Sequence, residues 1–458
     1  MNDVEVEKSI GKVEFESSST FLNKGFTWAK QEALSYAHNG EDVVGLWYEA
    51  ALPGRAAFCM RDVAHQSAGA AILGLQNHTK NMLSKFAEGI SSVRDWCSYW
   101  EINKENTPAP VDYQSDSDFW YNLPANFDIL DACYRQFLWT GDTEYLNNSK
   151  FVTFYEKTIN EYVRVWDKDN DGLMEHYPEY GRRGIASYNE DGLQPLIAGD
   201  LISAQYAGYS AFAKINELKG NHQLEKVYKE KAAQLQKIYQ NDWWNEESSR
   251  FYGARLQNGE FYEPYYDIAN FLPLYFGLIS DKEKLKLALK DVKRNGVVNV
   301  EGKSYFPEIY YKNGDKEEAY AILLELIDPS LIRREYPEVS YAVIGSIATG
   351  MMGISANGDT KITTMSQLPN ELEWAIMRNV PILNNVIDIS HHSNRETSLT
   401  NRSGNTLTWK VQFSYKKDQC LINNVTVDLQ HEYGLDGVVT SFAIVTVNEG
   451  ETICASAI

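Results

Sequence analysis

Cysteine is scarce and unpatterned in this 458-residue chain. Cys59, Cys97, Cys133, Cys420 and Cys454 are odd in number, scattered and without a CxxC pair, so they define neither a disulfide framework nor a zinc site. No apolar run approaches the roughly 18 residues that a membrane-spanning helix needs, which argues against membrane insertion. The opening MNDVEVEKSIGK has no basic stretch followed by an apolar one. That fits a cytoplasmic protein, or a periplasmic or secreted one whose signal has been removed. Basic residues are also in short supply: 43 Lys and Arg face 63 Asp and Glu, a formal net charge of −20. A field of that sign repels phosphate backbones and anionic headgroups, so nucleic-acid and membrane-surface partners are excluded and neutral substrates are favoured. GxSxG, Walker A, GxGxxG and HExxH are all missing, and with them the usual serine-hydrolase, NTPase, dinucleotide and zincin chemistries. No cofactor and no metal is implied. His391 and His392 have only Asp388 close by. Asp167, Asp169, Asp171 and Gly172 match the opening of a calcium loop, but Pro178 stands where the closing acid belongs, so they read as a turn. Oligomeric state leaves no trace in the sequence.

Aromatics are plentiful: 13% of the chain, against 43% hydrophobic and 23% charged residues overall. Such rings fill cores, and they also form the flat platforms on which sugar faces lie. Residues 3–16 alternate through Val4, Val6, Val13 and Phe15, a short hairpin-like piece. From about Phe21 the period changes. Phe127, Leu130, Tyr134 and Phe137, then Ile202, Tyr206, Tyr209 and Ala213, then Leu224, Val227, Leu235 and Ile238 each mark one face of a helix. HQSAGAAILGL (65–75) is built of small residues that let helices approach closely. Some connectors are tight, as at TGDTEYL (140–146), where Gly141 ends one helix and Asp142 caps the next. Others are long and aromatic-rich, at 106–128 and 178–195. Helical hairpins with short turns on one side and long loops on the other predict a ring with a structural face and a working face. After about Gly353, Leu407, Trp409, Val411, Phe413 and Tyr415 alternate strictly, followed by Val425, Val427 and Leu429 and by SFAIVTV (441–447), an antiparallel β pattern.

Five segments in order resemble the six-hairpin glycosidases, the (α/α)6-barrel enzymes that include glucoamylases, trehalase-like hydrolases and α-L-rhamnosidases. They are FCMRDVAHQSAGAAILGL (58–75), DKDNDGLMEHY (167–177), AGDLISAQYAGYSAFAKI (198–215), QNDWWNEESSRFYG (240–253) and YPEVSYAVIGSIATGMMGI (336–354). The resemblance implies a mainly α chain: an (α/α)6 barrel over 21–355, with a smaller antiparallel β-domain over 356–458 joined by the strands of 1–20. It also implies an exo-acting glycosidase, inverting as most such barrels are, with a carbohydrate as its partner.

Glycoside hydrolysis needs one carboxyl to protonate the leaving oxygen and a second as base or nucleophile. By position in the resembled family the acid is Glu190 or Asp191, in the long loop before the helix near Asp200. The base is Glu338 or Glu335, separated by Pro337, which breaks the register so that only one faces the cavity; Arg333 and Arg334 are available to pair with the other. Arg61 and Asp62 are the expected sugar binders, because a planar donor fork beside two acceptor oxygens suits alternating hydroxyls. His65 shares their helical face. Trp47, Trp96, Trp100 and Trp120 are candidate stacking platforms. Tyr177, Arg182, Arg183 and Tyr188 flank the acid loop, and an arginine pair there suits a carboxylate-bearing sugar. Two other classes compete. A polysaccharide lyase would use Tyr177, Arg182 and His176 on a uronate, against the net charge. A non-catalytic carbohydrate-binding scaffold predicts no pair of loop carboxyls across a pocket.

Overall fold

The computed structural model describes residues 9–433 and 439–458. Among these, helices alternate between two environments. We number them α1 (Thr20–Ser35), α2 (Met60–Ile72), α3 (Gln76–Gly89), α4 (Ala125–Thr140), α5 (Ser149–Lys157, prolonged by turns to Trp166), α6 (Gly199–Leu218), α7 (His222–Asp242), α8 (Ile268–Tyr275), α9 (Lys282–Asn295), α10 (Phe306–Lys312), α11 (Lys316–Leu326) and α12 (Pro337–Gly345). The even-numbered helices form an inner ring in which α2 packs on α4, α4 on α6, α6 on α8, α8 on α10, the turn following α12 on α10, and α12 on α2. The odd-numbered helices lie outside.

Sequence decides which helix goes where. α12 (PEVSYAVIG) buries all of its residues, as a helix with no charged face must. α7 is lysine- and glutamate-rich and buries only Tyr228, Ala232, Leu235 and Tyr239. Its stripe is rotated from the sequence reading, because Val227 is 38% exposed and the tyrosines carry the contact. The small residues of 65–75 let α2 and α12 touch backbone to backbone: a methyl group on Gly69 would sit on the Tyr341 carbonyl. Gly141 ends α4 at φ +71°, and Asp142 Oδ1 accepts the Glu144 N–H at 3.0 Å. The helices thus form an (α/α)6 barrel, joined by a β-domain.

Among the described residues that domain has two sheets. A seven-stranded sheet runs in the order 14–17, 374–382, 385–392, 396–403, 452–457, 419–422 and 425–428. The N-terminal strand therefore joins the C-terminal domain, with Phe15 opposite Met377; Val4 and Val6 lie outside the described residues. The five-stranded sheet holds 361–365 parallel to 407–413, an exception to the antiparallel expectation. Leu407, Trp409, Val411 and Phe413 are buried as their alternation predicted. The domain meets the barrel near the C-terminal end of α4, where Trp139 Nε1 donates to the Pro381 carbonyl at 2.9 Å. Nothing in the described residues is long and apolar enough to form a membrane-crossing helix.

Candidate functional site

The inner helices all run the same way, and their N-terminal ends open on one cavity of about 290 Å³. Each lead-in contributes. Arg61 and Asp62 stand in the first turn of α2, and Trp100, Asp112 and Trp120 precede α4. Tyr188, Asn189 and Glu190 come from the long loop before α6. Asp267 and Phe271 flank the start of α8, Glu301 lies on the short turn before α10, and Tyr336 and Glu338 open α12. Because α6 and α12 are opposite members of the ring, Glu190 and Glu338 approach the cavity from opposite sides.

Arg61 organises the floor. Its Nη2 lies 3.1 Å from Asp62 Oδ1 and 3.4 Å from Glu338 Oε1, and its guanidinium is 5.9 Å from the Tyr188 ring centre. Glu338 is 2% exposed. Burial pushes its carboxyl well above the usual carboxylate range, with Asp62 adding to the rise and Arg61 opposing it. Asp62 is raised to about 6 by burial, again against Arg61. On the neighbouring wall, burial and then Glu101 raise Asp112 to about 7, while Arg55 pairs with Glu101 at 2.7 Å and the Cys59 thiol donates to the same carboxylate at 3.2 Å.

The loop bearing Glu190 is anchored from below. Asp200 Oδ2 accepts the Tyr188 N–H at 2.6 Å and the Ser187 hydroxyl at 3.0 Å, and the Tyr188 hydroxyl donates to Asp128 Oδ2 at 3.1 Å. Burial raises both Asp128 and Asp200 to about 7. Asp267 adopts φ +45°, a costly conformation for a residue with a side chain.

Several sequence candidates lie elsewhere. Trp47 is fully buried, stacked on His38 and donating to Asp42 at 2.8 Å; it is core. Trp96 sits beneath Lys157, and its carbonyl accepts from Asn126. His65 stacks on Tyr305 and bonds Ser304, beneath the cavity rather than in its lining. Tyr177 donates to Glu175 under the Lys168 ammonium, and Arg182 is paired with Asp118 at 2.7 Å. Arg183 pairs with Asp95 and His176 is buried against the Gly184 carbonyl, so neither the anionic-sugar pair nor the lyase set assembles at the cavity. Asp191 points into its own turn and to the Tyr266 hydroxyl. Glu335 is exposed, and its carbonyl takes the Tyr36 hydroxyl. Pro337 begins a helix here rather than breaking one, because it occupies the first position, where no N–H is needed. Arg333 reaches Glu301 and Arg334 lies over Trp28.

Asp112, Asp267 and Glu301 were not singled out in the sequence. The first lies in the long aromatic loop already marked as unusual; the other two carry no local signal and are gathered only by the ring. Asp167, Asp169 and Asp171 form the expected turn, with carboxylate oxygens within 4.8 Å of one another and Asp167 Oδ2 accepting the Gly172 N–H.

The family model of the mannosylglycerate hydrolase MGH1-like glycoside hydrolase domain matches residues 155–301. No curated protein matches in sequence. Among solved structures, the α-L-rhamnosidase from Dictyoglumus thermophilum is 14% identical, with a TM-score of 0.65 over 97% of this chain and 50% of that one. The GH78 family rhamnosidase of Bacillus sp. GL1 is 13% identical, with a TM-score of 0.62 over 85% and 40%. A rhamnosidase from Klebsiella oxytoca with rhamnose bound is 10% identical, with a TM-score of 0.52 over 74% and 65%. The chain spans half or less of the length of the first two. At these identities the likeness is one of fold, and the fold is that of the six-hairpin glycosidases.

Proposed function

We propose that this chain is an exo-acting glycoside hydrolase that removes a non-reducing-end sugar with inversion, Glu190 serving as acid and Glu338 as base. The observation that carries the reading is the lining of one cavity, at the working mouth of the barrel, by these two carboxyls from opposite lead-ins. Inversion needs about 6.5–9.5 Å between the carboxyls so that a water fits. Arg61 and Asp62 hold hydroxyls of the sugar at the floor, and Trp100 and Trp120 offer apolar faces to the ring. The names of the similar proteins make α-rhamnosides and α-mannosides the first substrates to try. A non-catalytic scaffold is disfavoured by the same pair of carboxyls.

One observation favours exchanged roles. Burial holds Glu338 in its protonated form more firmly than an ordinary carboxyl, which suits an acid. Hydrolysis of aryl and alkyl glycosides by Glu190→Gln and Glu338→Gln separates the assignments. The variant lacking the acid keeps activity on the best aryl leaving groups, which need no proton; the variant lacking the base loses both. Full activity of both variants would remove the pair from the mechanism.

A further inference from the structure

Glu190 is exposed, but the chain that delivers it is buried as far as Tyr188. The lead-in to α6 first runs parallel to the lead-in to α4. The Ile185 N–H donates to the Tyr121 carbonyl and the Leu123 N–H to the Ile185 carbonyl, both at 2.8 Å. Asn122, fully buried in this pairing, serves two sides at once. Its Nδ2 donates to the Ser187 carbonyl at 2.5 Å, and its Oδ1 accepts from Trp120 Nε1 at 2.6 Å. One amide thereby joins a wall of the cavity to the loop that carries Glu190.

From below, α6 supplies Asp200, which is also fully buried. The oxygen that accepts the Tyr188 N–H accepts the Ser187 hydroxyl as well, and the Ser187 oxygen in turn accepts the Asn189 N–H at 3.0 Å. The carbonyl and hydroxyl of Ser187 and the next two N–H groups are all committed. Neither Asn122 nor Asp200 lines the cavity. Swinging this stretch would strand a buried carboxyl and a buried amide without partners, which is costly.

We propose that Asn122 and Asp200 are positioning residues: together they clamp 187–189 and fix the direction from which Glu190 meets the substrate, with Asn122 keeping that direction in step with the Trp120 face. This rests on the reading of Glu190 as a catalytic carboxyl. Displacing a reacting group by about 1 Å costs on the order of 100-fold in rate. The test compares Asn122→Ala, Asp200→Ala and Ser187→Ala, the last disturbing the fold least, with Glu190→Gln on alkyl and dinitrophenyl α-rhamnosides and α-mannosides. Hydrogen exchange at the Tyr188 and Asn189 amides is followed in parallel. Each clamp variant is expected to lower kcat by about 10- to 100-fold, with KM little changed and the leaving-group preference of Glu190→Gln reproduced. Asp200→Asn, which keeps an acceptor oxygen, restores most of the loss. The two amides exchange slowly in the wild type and faster in Ser187→Ala and Asp200→Ala. Fast exchange in the wild type overturns the proposal, as do losses that track the thermal midpoint instead of the leaving group, or full activity of Ser187→Ala and Asp200→Ala. Exchange released by the substitutions, with the wild type inert on every glycoside or Glu190→Gln fully active, keeps the clamp and removes the catalytic reading of Glu190. Hydrolysis that needs Glu190 but is indifferent to the clamp substitutions does the reverse.

Discussion

The barrel has a cavity toward each end, both of about 290 Å³. The far one is lined from α4, α6, α8 and α10 by Asp131, Arg135, Lys214, Tyr275, Glu308 and Lys312. There the charges of the two signs are close to balanced and much of the polar surface is spoken for: Arg135 pairs with Asp131 at 2.7 Å, and Lys312 donates to the Tyr275 carbonyl at 2.7 Å. At the near mouth, carboxylates outnumber cations and three buried oxygens lack donors. Volume does not distinguish the two; unspent hydrogen-bonding capacity does. Chain direction explains the difference. Long loops and helix N-termini meet at the near mouth, where N–H groups and the helix dipole tolerate negative charge.

The sharpest way to break this contrast is at the proposed catalytic pair. Glu338→Gln is expected to lower kcat by about 10²–10⁴-fold on alkyl glycosides, while Lys214→Ala at the far cavity leaves kcat and KM within error; comparable losses in both would make the mouths equivalent. Next in size is Arg61→Met, which leaves Asp62 and Glu338 facing each other without their cation. Removing one partner of a buried ion pair costs about 3–5 kcal/mol, to be read from urea denaturation midpoints.

The near mouth and the layer beneath it should also make stability depend on pH. Asp128 and Asp200 are held at about 7 and Asp62 at about 6, above the ordinary 3.8. The folded chain therefore binds more protons than the unfolded one between about pH 4 and 7, and stability rises as pH falls through that window, by up to about 1.4 kcal/mol per pH unit for each group. Thermal midpoints that climb from pH 8 to pH 5, with a shallower climb in Asp200→Asn, are the expected result; a slope unchanged by that substitution would discount Asp200. The smallest effect belongs to Trp120→Ala, where loss of a stacking face is expected to raise KM about tenfold, near 1.4 kcal/mol, with little change in kcat.

Much of the architecture could be read from periodicity. The helices around 127–137 and 202–213 and the strand at 407–413 fell where spacing put them, because a buried face imposes its period on the sequence. The α7 stripe was misjudged: Val227 and Ile238 are as apolar as the tyrosines beside them, and only packing on α6 shows that Tyr228 and Tyr239 do the burying. At the site, Arg61, Asp62, Tyr188, Glu190, Glu338, Trp100 and Trp120 line the cavity. Trp47, Trp96, Tyr177 and Arg182 do not, because an aromatic or an arginine in a long loop has the same local sequence whether it faces a cavity or a neighbouring loop.

What the amino-acid order determined alone was local and periodic: which segments are helices and which helices are apolar all round. What tertiary structure decided was which of 63 acidic side chains share one space. Asp112, Asp267 and Glu301 are separated along the chain and sit in unrelated sequence contexts. They become neighbours of Glu190 and Glu338 because the inner helices point the same way and closing the ring brings their first turns together. That closure follows from burying apolar faces against one another, a property of the whole chain that no window of sequence contains.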